Sequence, residues 1–213
     1  MSIANRFHLF VSSCTVTLMY LALLHVVPTL KATALLPPYG EVAFAFVGTV
    51  GCYLLLARIL RVFFDRLRLA RKLLLGAEYV EGTWIGCFTT PTGEKKYTIE
   101  HFEQTLDGVV IRGEALTPNG VQYAQWVSIA VSIDAINGIL TYTYQCDVHS
   151  RNAPFQGIAV FQLERANSRK PPHALSGYSA DLIDGVRSGN REYKLSDGVL
   201  DKTAALGVAK QRF

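Results

Sequence analysis

The sequence lacks the short motifs that accompany common catalytic and nucleotide-hydrolysing sites. It has no G-x-x-x-x-G-K-[ST] phosphate loop, no G-x-G-x-x-G fingerprint and no H-E-x-x-H metal motif. Gly177–Asp181 resembles G-x-S-x-G, but the second glycine of that motif is absent. The five histidines are scattered singly, and a lone histidine is more often a surface or satisfied residue than a base. We therefore predict no catalytic residues and a protein that is not an enzyme.

Cysteine is also scarce, with four residues at positions 14, 52, 87 and 146. None form a C-x-x-C pair, and Cys14 and Cys52 lie inside long apolar stretches. We predict no metal site, no cofactor and no disulfide framework. The cysteines are instead expected to be small buried hydrophobes in a reduced compartment.

Acidic residues are nearly absent from the first part of the chain. Residues 1–75 carry eight Lys and Arg but only Glu41 and Asp65, a balance of +6, whereas residues 76–213 have a balance of −2. The excess of cations suits anionic lipid headgroups. The mildly acidic remainder argues against long DNA or RNA as a partner.

Two long stretches, Phe7–Leu30 and Val42–Ala57, contain no Lys, Arg, Asp or Glu. A helix over the first would be about 36 Å long at ~1.5 Å per residue, enough to cross a hydrocarbon core of about 30 Å. We predict two transmembrane helices, at about 7–30 and 42–60. A cleaved signal peptide is the alternative for the first, although its apolar region normally runs only about 7–15 residues.

Cations crowd the end of the second stretch, between Arg58 and Lys72. By the positive-inside rule both termini should face the cytoplasm. A 3–4–3–4 spacing predicts a basic amphipathic extension over 58–75, which either continues the second helix or lies along the headgroups. A simple topology signal is an equally good interpretation. The predicted domains are a membrane anchor, 1–75, and a cytosolic domain, 76–213.

From Gly82 onward, short alternating segments lie between turn signals, including the hairpin pairs Asp107-Gly108 and Asn137-Gly138. Strands are predicted near 82–89, 95–106, 109–116, 121–132, 139–148, 156–165, 174–184 and 191–196. This pattern indicates an all-β domain, either a sandwich or a barrel. We favour an antiparallel up-and-down β-barrel of about eight strands, lipocalin-like in shape. The tail after Asp197 receives no assignment.

Binding chemistry is better represented than catalysis. Tyr97, Tyr142 and Tyr178 offer flat faces on which bases could stack. Phosphates could meet arginines, chiefly Arg112 and Arg187, with Arg151 and Arg191 as further candidates. The alternative for each aromatic residue is packing in or on the barrel. Arg112 shares its strand parity with apolar residues, so it either pairs with Glu114 or points into a pocket.

Two segments suggest a family. Tyr79–Gly86 contains Gly82-Thr83-Trp84, which resembles the opening of lipocalin-like barrels, and Ser176–Asp181 lies on a late predicted strand. With the two apolar spans, the layout resembles the two-transmembrane β-barrel effectors of cyclic-oligonucleotide-based antiphage signalling systems (CBASS) in bacteria. The similarity covers most of the chain, up to about Asp197.

The resemblance implies a function. In that family the cytosolic barrel binds a cyclic dinucleotide made by a partner nucleotidyltransferase, the protein self-associates, and its helices disrupt the bacterial inner membrane and kill the infected cell. By the same resemblance Trp84 should be structural and close the barrel floor. Two other hypotheses stay open: a membrane-tethered, lipocalin-like carrier of an apolar ligand, and a membrane-bound enzyme with its site at the barrel mouth.

Overall fold

The computed structural model describes residues 3–33, 37, 39–90, 92–149, 153–183 and 185–213. The chain divides into two compact units, Met1–Leu74 and Leu75–Phe213. The first unit is helical and the second is a closed β-barrel. The division lies one residue before the predicted domain boundary.

The first unit contains two long apolar helices, α1 (Ile3–Ala32) and α2 (Gly40–Arg66). Both are long and apolar enough to span a membrane. They run antiparallel: Phe7 near the start of α1 contacts Phe64 near the end of α2, with ring centroids 6.2 Å apart. The His8 ring nitrogen Nδ1 lies 2.6 Å from the hydroxyl of Tyr53, which joins the helices through a polar contact. Each helix extends beyond its predicted span.

A break at Leu67 corrects the predicted continuous extension over 58–75. Leu67 is extended, with φ −104° and ψ 100°, and a separate helix α3 covers Arg68–Leu75. Helix ends leave backbone carbonyls without partners, and here the Arg71 guanidinium donates to the carbonyl of Asp65 at 2.6 Å. The cationic segment therefore consists of two helical pieces instead of one rod.

The second unit begins with a single 3-10 turn, Gly76–Glu78, followed by eight strands. The strands are β1 (Gly82–Thr89), β2 (Lys95–Gln104), β3 (Val109–Leu116), β4 (Gln122–Asp134), β5 (Ile139–Val148), β6 (Phe155–Glu164), β7 (Ala174–Asp181) and β8 (Arg187–Ser196). Each is antiparallel to its neighbours, and β8 pairs back with β1. The predicted up-and-down barrel of eight strands is confirmed.

The start of β8 is the largest error among the predicted strands. Ser188-Gly189-Asn190 looks like a turn in sequence, yet these residues are paired with β7, and Gly189 lies opposite Tyr178. The chain reverses earlier, near Gly185, whose φ of 67° is left-handed and favours glycine. Small residues inside β8 therefore resemble, in sequence, the turn that precedes the strand.

One end of the barrel, where the chain enters it, is closed by side chains. Trp84 is fully buried, its indole nitrogen donates to the carbonyl of Val80 at 2.8 Å, and its ring lies 5.4 Å from that of Phe102. The Gln104 amide oxygen accepts from the backbone nitrogen of Val80 at 2.8 Å. This "closed end" agrees with the structural role expected for Trp84.

A C-terminal helix, α4 (Lys202–Arg212), covers part of the outer barrel wall. Asp201 caps it by accepting from the backbone nitrogens of Thr203 and Ala204. The buried face of α4 packs on outward-facing apolar residues of β1 and β2, among them Ile85, Tyr97 and Ile99. The tail that had no predicted structure therefore seals one outer face.

Replacing Trp84 with alanine tests the closed end. We expect it to lower the free energy of unfolding by about 3–5 kcal/mol, the usual cost of removing a large buried aromatic side chain. Denaturation of the full chain in detergent, followed by β-sheet circular dichroism, measures this. Ile136→Ala is the control, because Ile136 is 88% exposed. Equal stability of the two variants would contradict the assignment.

Candidate functional site

The barrel encloses a cavity of about 210 Å³ that opens at the end opposite Trp84. The "open end" is formed by the β1–β2, β3–β4, β5–β6 and β7–β8 connections. Seven of the nineteen residues that line the cavity are aromatic: Phe88, Tyr123, Trp126, Tyr142, Tyr144, Phe155 and Phe161. Small barrels of this size have interiors that are filled by side chains or hold one small ligand.

Three glycines make room for the larger groups inside the barrel. A Cβ at Gly113 would lie 2.2 Å from the Trp126 ring, and one at Gly157 would lie 2.3 Å from the Tyr144 ring. At Gly86 a Cβ would meet the Thr98 hydroxyl at 2.6 Å and Cγ of Glu192 at 2.8 Å. Only a residue without a side chain fits these contacts.

Two glutamates lie side by side in the interior: Glu100 on β2 is 2% exposed, and Glu192 on β8 is fully buried. Strand β1 lies between β2 and β8, and its Gly86 is paired with Thr98 on β2 and with Glu192 on β8. One oxygen of Glu100, Oε1, accepts hydrogen bonds from the Trp126 indole and the Tyr142 hydroxyl, each at 2.9 Å. Oε1 of Glu192 accepts from the Asn190 amide at 2.7 Å.

Burial and mutual contact keep this pair partly protonated. Desolvation raises the pKa of Glu100 to about 7, and hydrogen bonds from Tyr142, Trp126 and Glu192 limit that rise. Desolvation, followed by the charge of Glu100, places the pKa of Glu192 well above its usual range. Two buried carboxyl groups in contact hold a proton between them instead of ionising together. At neutral pH the pair therefore carries at least one proton.

Hydrogen-bond acceptors remain unused around the pair. Within the described part of the chain, Oε2 of Glu100, Oε2 of Glu192, the Thr98 hydroxyl and Oδ1 of Asn190 are buried without a partner in hydrogen-bond geometry. A shared proton joins the two carboxyl groups. The shared proton does not satisfy the Thr98 hydroxyl or the Asn190 amide oxygen, and both residues line the cavity. Such buried groups are costly unless something satisfies them.

A cation lies at the open end of the cavity. The ammonium of Lys96 is 4.7 Å from the centre of the Tyr123 ring and 2.7 Å from Oε2 of Glu94. The Lys96 side chain is 6% exposed, whereas that of Glu94 is 65% exposed. A buried cation whose partner is exposed to solvent can exchange that partner for an anionic ligand.

The predicted ligand-binding residues do not form one cluster. Of the five, Tyr142 lines the cavity. Tyr97 faces outward and is 8% exposed beneath α4. Arg112 is also on the outer face, where it pairs with Glu103 at 3.1 Å. Its ion pair is therefore with Glu103 instead of Glu114, but it does line a pocket, an open groove on the outer wall that it shares with Glu114.

The other two predicted residues, Tyr178 and Arg187, come together. The Arg187 guanidinium lies 4.5 Å from the centre of the Tyr178 ring, on the outer surface of β7 and β8. Arg191 is likewise on the outer face, paired with Glu164 at 2.9 Å. Arg151 is outside the described residues.

Sequence reasoning missed Glu100 and Glu192, the most unusual residues of the site. The available signal was the alternation of side chains along β2. Glu100 shares one face of the strand with Thr98 and Phe102, and threonine and phenylalanine both suit a barrel interior. A glutamate at an inward position without a neighbouring cation marks a functional candidate. Elsewhere in the described chain, no group of three His, Cys, Asp or Glu residues could hold a metal ion.

Comparisons with known proteins assign the chain to no family. No protein-family description matches it, and no curated protein matches it. Among solved structures, a de novo designed fluorescence-activating β-barrel matches at 14% identity and a TM-score of 0.35, covering 56% of this chain and 96% of the designed one. No conclusion about ligand or activity follows from a likeness of this extent.

The carboxyl pair predicts an unusual dependence of stability on pH. The folded state retains a proton that the unfolded state releases above the ordinary glutamate pKa of 4.5. Stability should therefore fall as pH rises from 4.5 through about 7. The expected loss is about 3 kcal/mol from Glu100 alone. Denaturation of the full chain across this range measures it.

Glu192→Gln should flatten that decline, because one member of the pair can no longer ionise. Glu103→Gln is the matched control, since Glu103 lies on β2 beside Glu100 but its side chain is 51% exposed on the outer face. The control should keep the slope of the natural protein. A slope unchanged by Glu192→Gln would show that the pair does not hold the proton.

Proposed function

We propose that this protein is a membrane-anchored ligand sensor of antiphage defence, in which the barrel binds a cyclic dinucleotide and the helices disrupt the bacterial inner membrane. The observation that carries the proposal is the barrel cavity, which combines an aromatic wall with buried, unused hydrogen-bond acceptors. Nucleobases are flat and carry polar edges, and proteins bind them by stacking and by hydrogen bonds at those edges.

The size of the cavity supports partial insertion of such a ligand. Sites that enclose a whole drug-sized molecule usually measure about 300–1,000 Å³, whereas this cavity measures about 210 Å³. A cavity of about 150 Å³ accepts a benzene ring. One base therefore enters the barrel, while the phosphates stay at the open end near Lys96.

The two apolar helices supply the membrane part of the proposal. Both have the length and composition required of a spanning helix, and by the positive-inside rule the cations after Arg58 predict that both ends of the hairpin lie on the cytoplasmic side. Ligand-induced association of barrels would raise the local concentration of the helices, so that weak contacts between them become sufficient for assembly. A partner nucleotidyltransferase would supply the ligand.

A tethered carrier of an apolar ligand is the second candidate, favoured by the aromatic wall. The buried carboxyl pair opposes it, because an apolar ligand would leave the Thr98 hydroxyl and the Asn190 amide oxygen unsatisfied. Lipid that co-purifies with the barrel, together with no response to nucleotides, would favour the carrier.

Binding of cyclic dinucleotides to the full chain in detergent tests the sensor. We expect calorimetry to detect binding of at least one of cyclic di-GMP, cyclic di-AMP and cyclic di-UMP. Lys96→Gln should weaken binding about 10-fold, through loss of one charge-assisted contact to phosphate, and should reduce its salt dependence. Lys202→Gln is the control, because Lys202 also pairs with a glutamate, Glu114, but on the outer wall. Failure of all three ligands to bind would overturn the proposal.

Ligand-dependent damage to a bilayer is the second expectation. The full chain is reconstituted in anionic vesicles loaded with a self-quenching dye, and the ligand identified by calorimetry is added outside. Release of dye should rise with ligand and should be reduced by Lys96→Gln at the same ligand concentration. Binding without any release would retain the sensor and exclude membrane disruption as its output.

A further inference from the structure

The acceptor cluster at the bottom of the cavity has a composition that selects its ligand. Two carboxyl groups, one amide oxygen and one hydroxyl meet there, contributed by Glu100, Glu192, Asn190 and Thr98. Register confirms their proximity, because Gly86 is paired with Thr98 on one side and with Glu192 on the other. Glu100, Thr98 and Asn190 line the cavity directly.

We propose that this cluster is a guanine-binding subsite, which accepts hydrogen bonds from the N1–H and N2–H₂ edge of one base of the ligand. The inference rests on the proposed binding of a cyclic dinucleotide and goes beyond it by naming the base. Guanine is the base whose pairing edge presents adjacent ring and amino donors, and a cluster rich in acceptors is complementary to that edge.

The other bases satisfy the cluster less well. Uracil offers one N–H between two carbonyl oxygens, and those oxygens would face the carboxyl groups. Adenine offers only its amino group as a donor on that edge. A site built for hydrogen bonds rejects an analogue that lacks them, because its buried polar groups are then left without partners. The site is therefore expected to discriminate between bases by the hydrogen-bond donors on their pairing edges.

Stacking surfaces surround the cluster. The rings of Tyr142 and Phe161 are 6.2 Å apart and nearly parallel, and the Trp126 indole and Tyr142 hydroxyl both donate to Glu100. These two donors bind Oε1 and hold the carboxyl in place, so that Oε2, which takes part in the contact with Glu192, can offer its remaining lone pair to a ligand. Such prior orientation lowers the ordering cost of binding.

A neutral base fits the electrostatics better than a cation does. The two carboxyl groups share a proton, so a donor-rich neutral edge adds hydrogen bonds without requiring the pair to ionise. Among the residues that line the cavity, Asp181 is a further acid, and none is Lys or Arg. Phosphates are therefore unsuited to the interior, and the base enters first.

The test compares base preference in three forms of the full chain in detergent. Calorimetry with cyclic di-GMP, cyclic di-AMP and cyclic di-UMP should give at least 10-fold tighter binding of cyclic di-GMP to the natural protein. Glu100→Gln places an amide near the guanine donors. It should therefore weaken the binding of cyclic di-GMP at least 10-fold and change the affinity for cyclic di-UMP by no more than about 3-fold. Glu103→Gln should leave every value unchanged.

The pattern of results separates the two proposals. A misfolded Glu100→Gln protein would lose all three ligands together, and Thr98→Val, which removes one hydroxyl acceptor at nearly constant shape, then replaces it in the comparison. Binding without preference for cyclic di-GMP, or a preference unchanged in both variants, would overturn the guanine subsite and leave the sensor intact. Binding of GMP but of no cyclic dinucleotide would retain the subsite and overturn the sensor. Absence of all nucleotide binding would overturn both.

Discussion

The buried contact between Glu100 and Glu192 is the constraint to which the barrel interior is adapted. Removing two carboxyl groups from water is expensive, and in the described part of the chain no Lys or Arg contributes to the electrostatics of either group. A shared proton and donors from Trp126, Tyr142 and Asn190 compensate in part. Gly86, on the strand between the two glutamates, has no side chain, because a Cβ there would meet Cγ of Glu192 and the Thr98 hydroxyl. An interior built only for stability would contain apolar groups here, which makes the pair a candidate functional site.

Most of the barrel could be predicted from sequence because turn chemistry is local. Asn137-Gly138 fixes a hairpin through a backbone conformation that few other residues adopt, with Gly138 at a positive φ of 70°. Asp107-Gly108 also lies at a hairpin, between β2 and β3, although Gly108 does not need a positive φ there. Helix α4 could not be predicted in the same way. Its buried face consists of Ala205, Leu206 and Ala209, and such small residues give almost no periodic hydrophobic signal. Its clearest local signal was the cap at Asp201.

The site was harder to predict, since alternation along a strand separates two faces without saying which is inside. In most barrels the apolar face is internal, but here α4 makes part of the outer face apolar too. Tyr97 and Tyr142 therefore look alike in sequence, although one lies beneath α4 and the other lines the cavity. Arg112 shared a parity with buried Leu116 for the same reason. The two faces are distinguished by contacts between residues far apart in sequence, namely the closure of β8 on β1 and the packing of α4 on the outer wall.

Charge placement determines the direction in which an anionic ligand can enter. At an effective dielectric constant of about 20, a phosphate charge about 5 Å from an ionised carboxylate would be repelled by roughly 3 kcal/mol. Asp181 and the carboxyl pair lie within the cavity, whereas Lys96 is at its open end. A dinucleotide that enters base first gains stacking and hydrogen bonds inside while its phosphates remain beside the lysine. Under the proposed function, one that entered phosphate first would carry its charge past Lys96 and toward the acids of the interior, so charge placement favours entry of the base first.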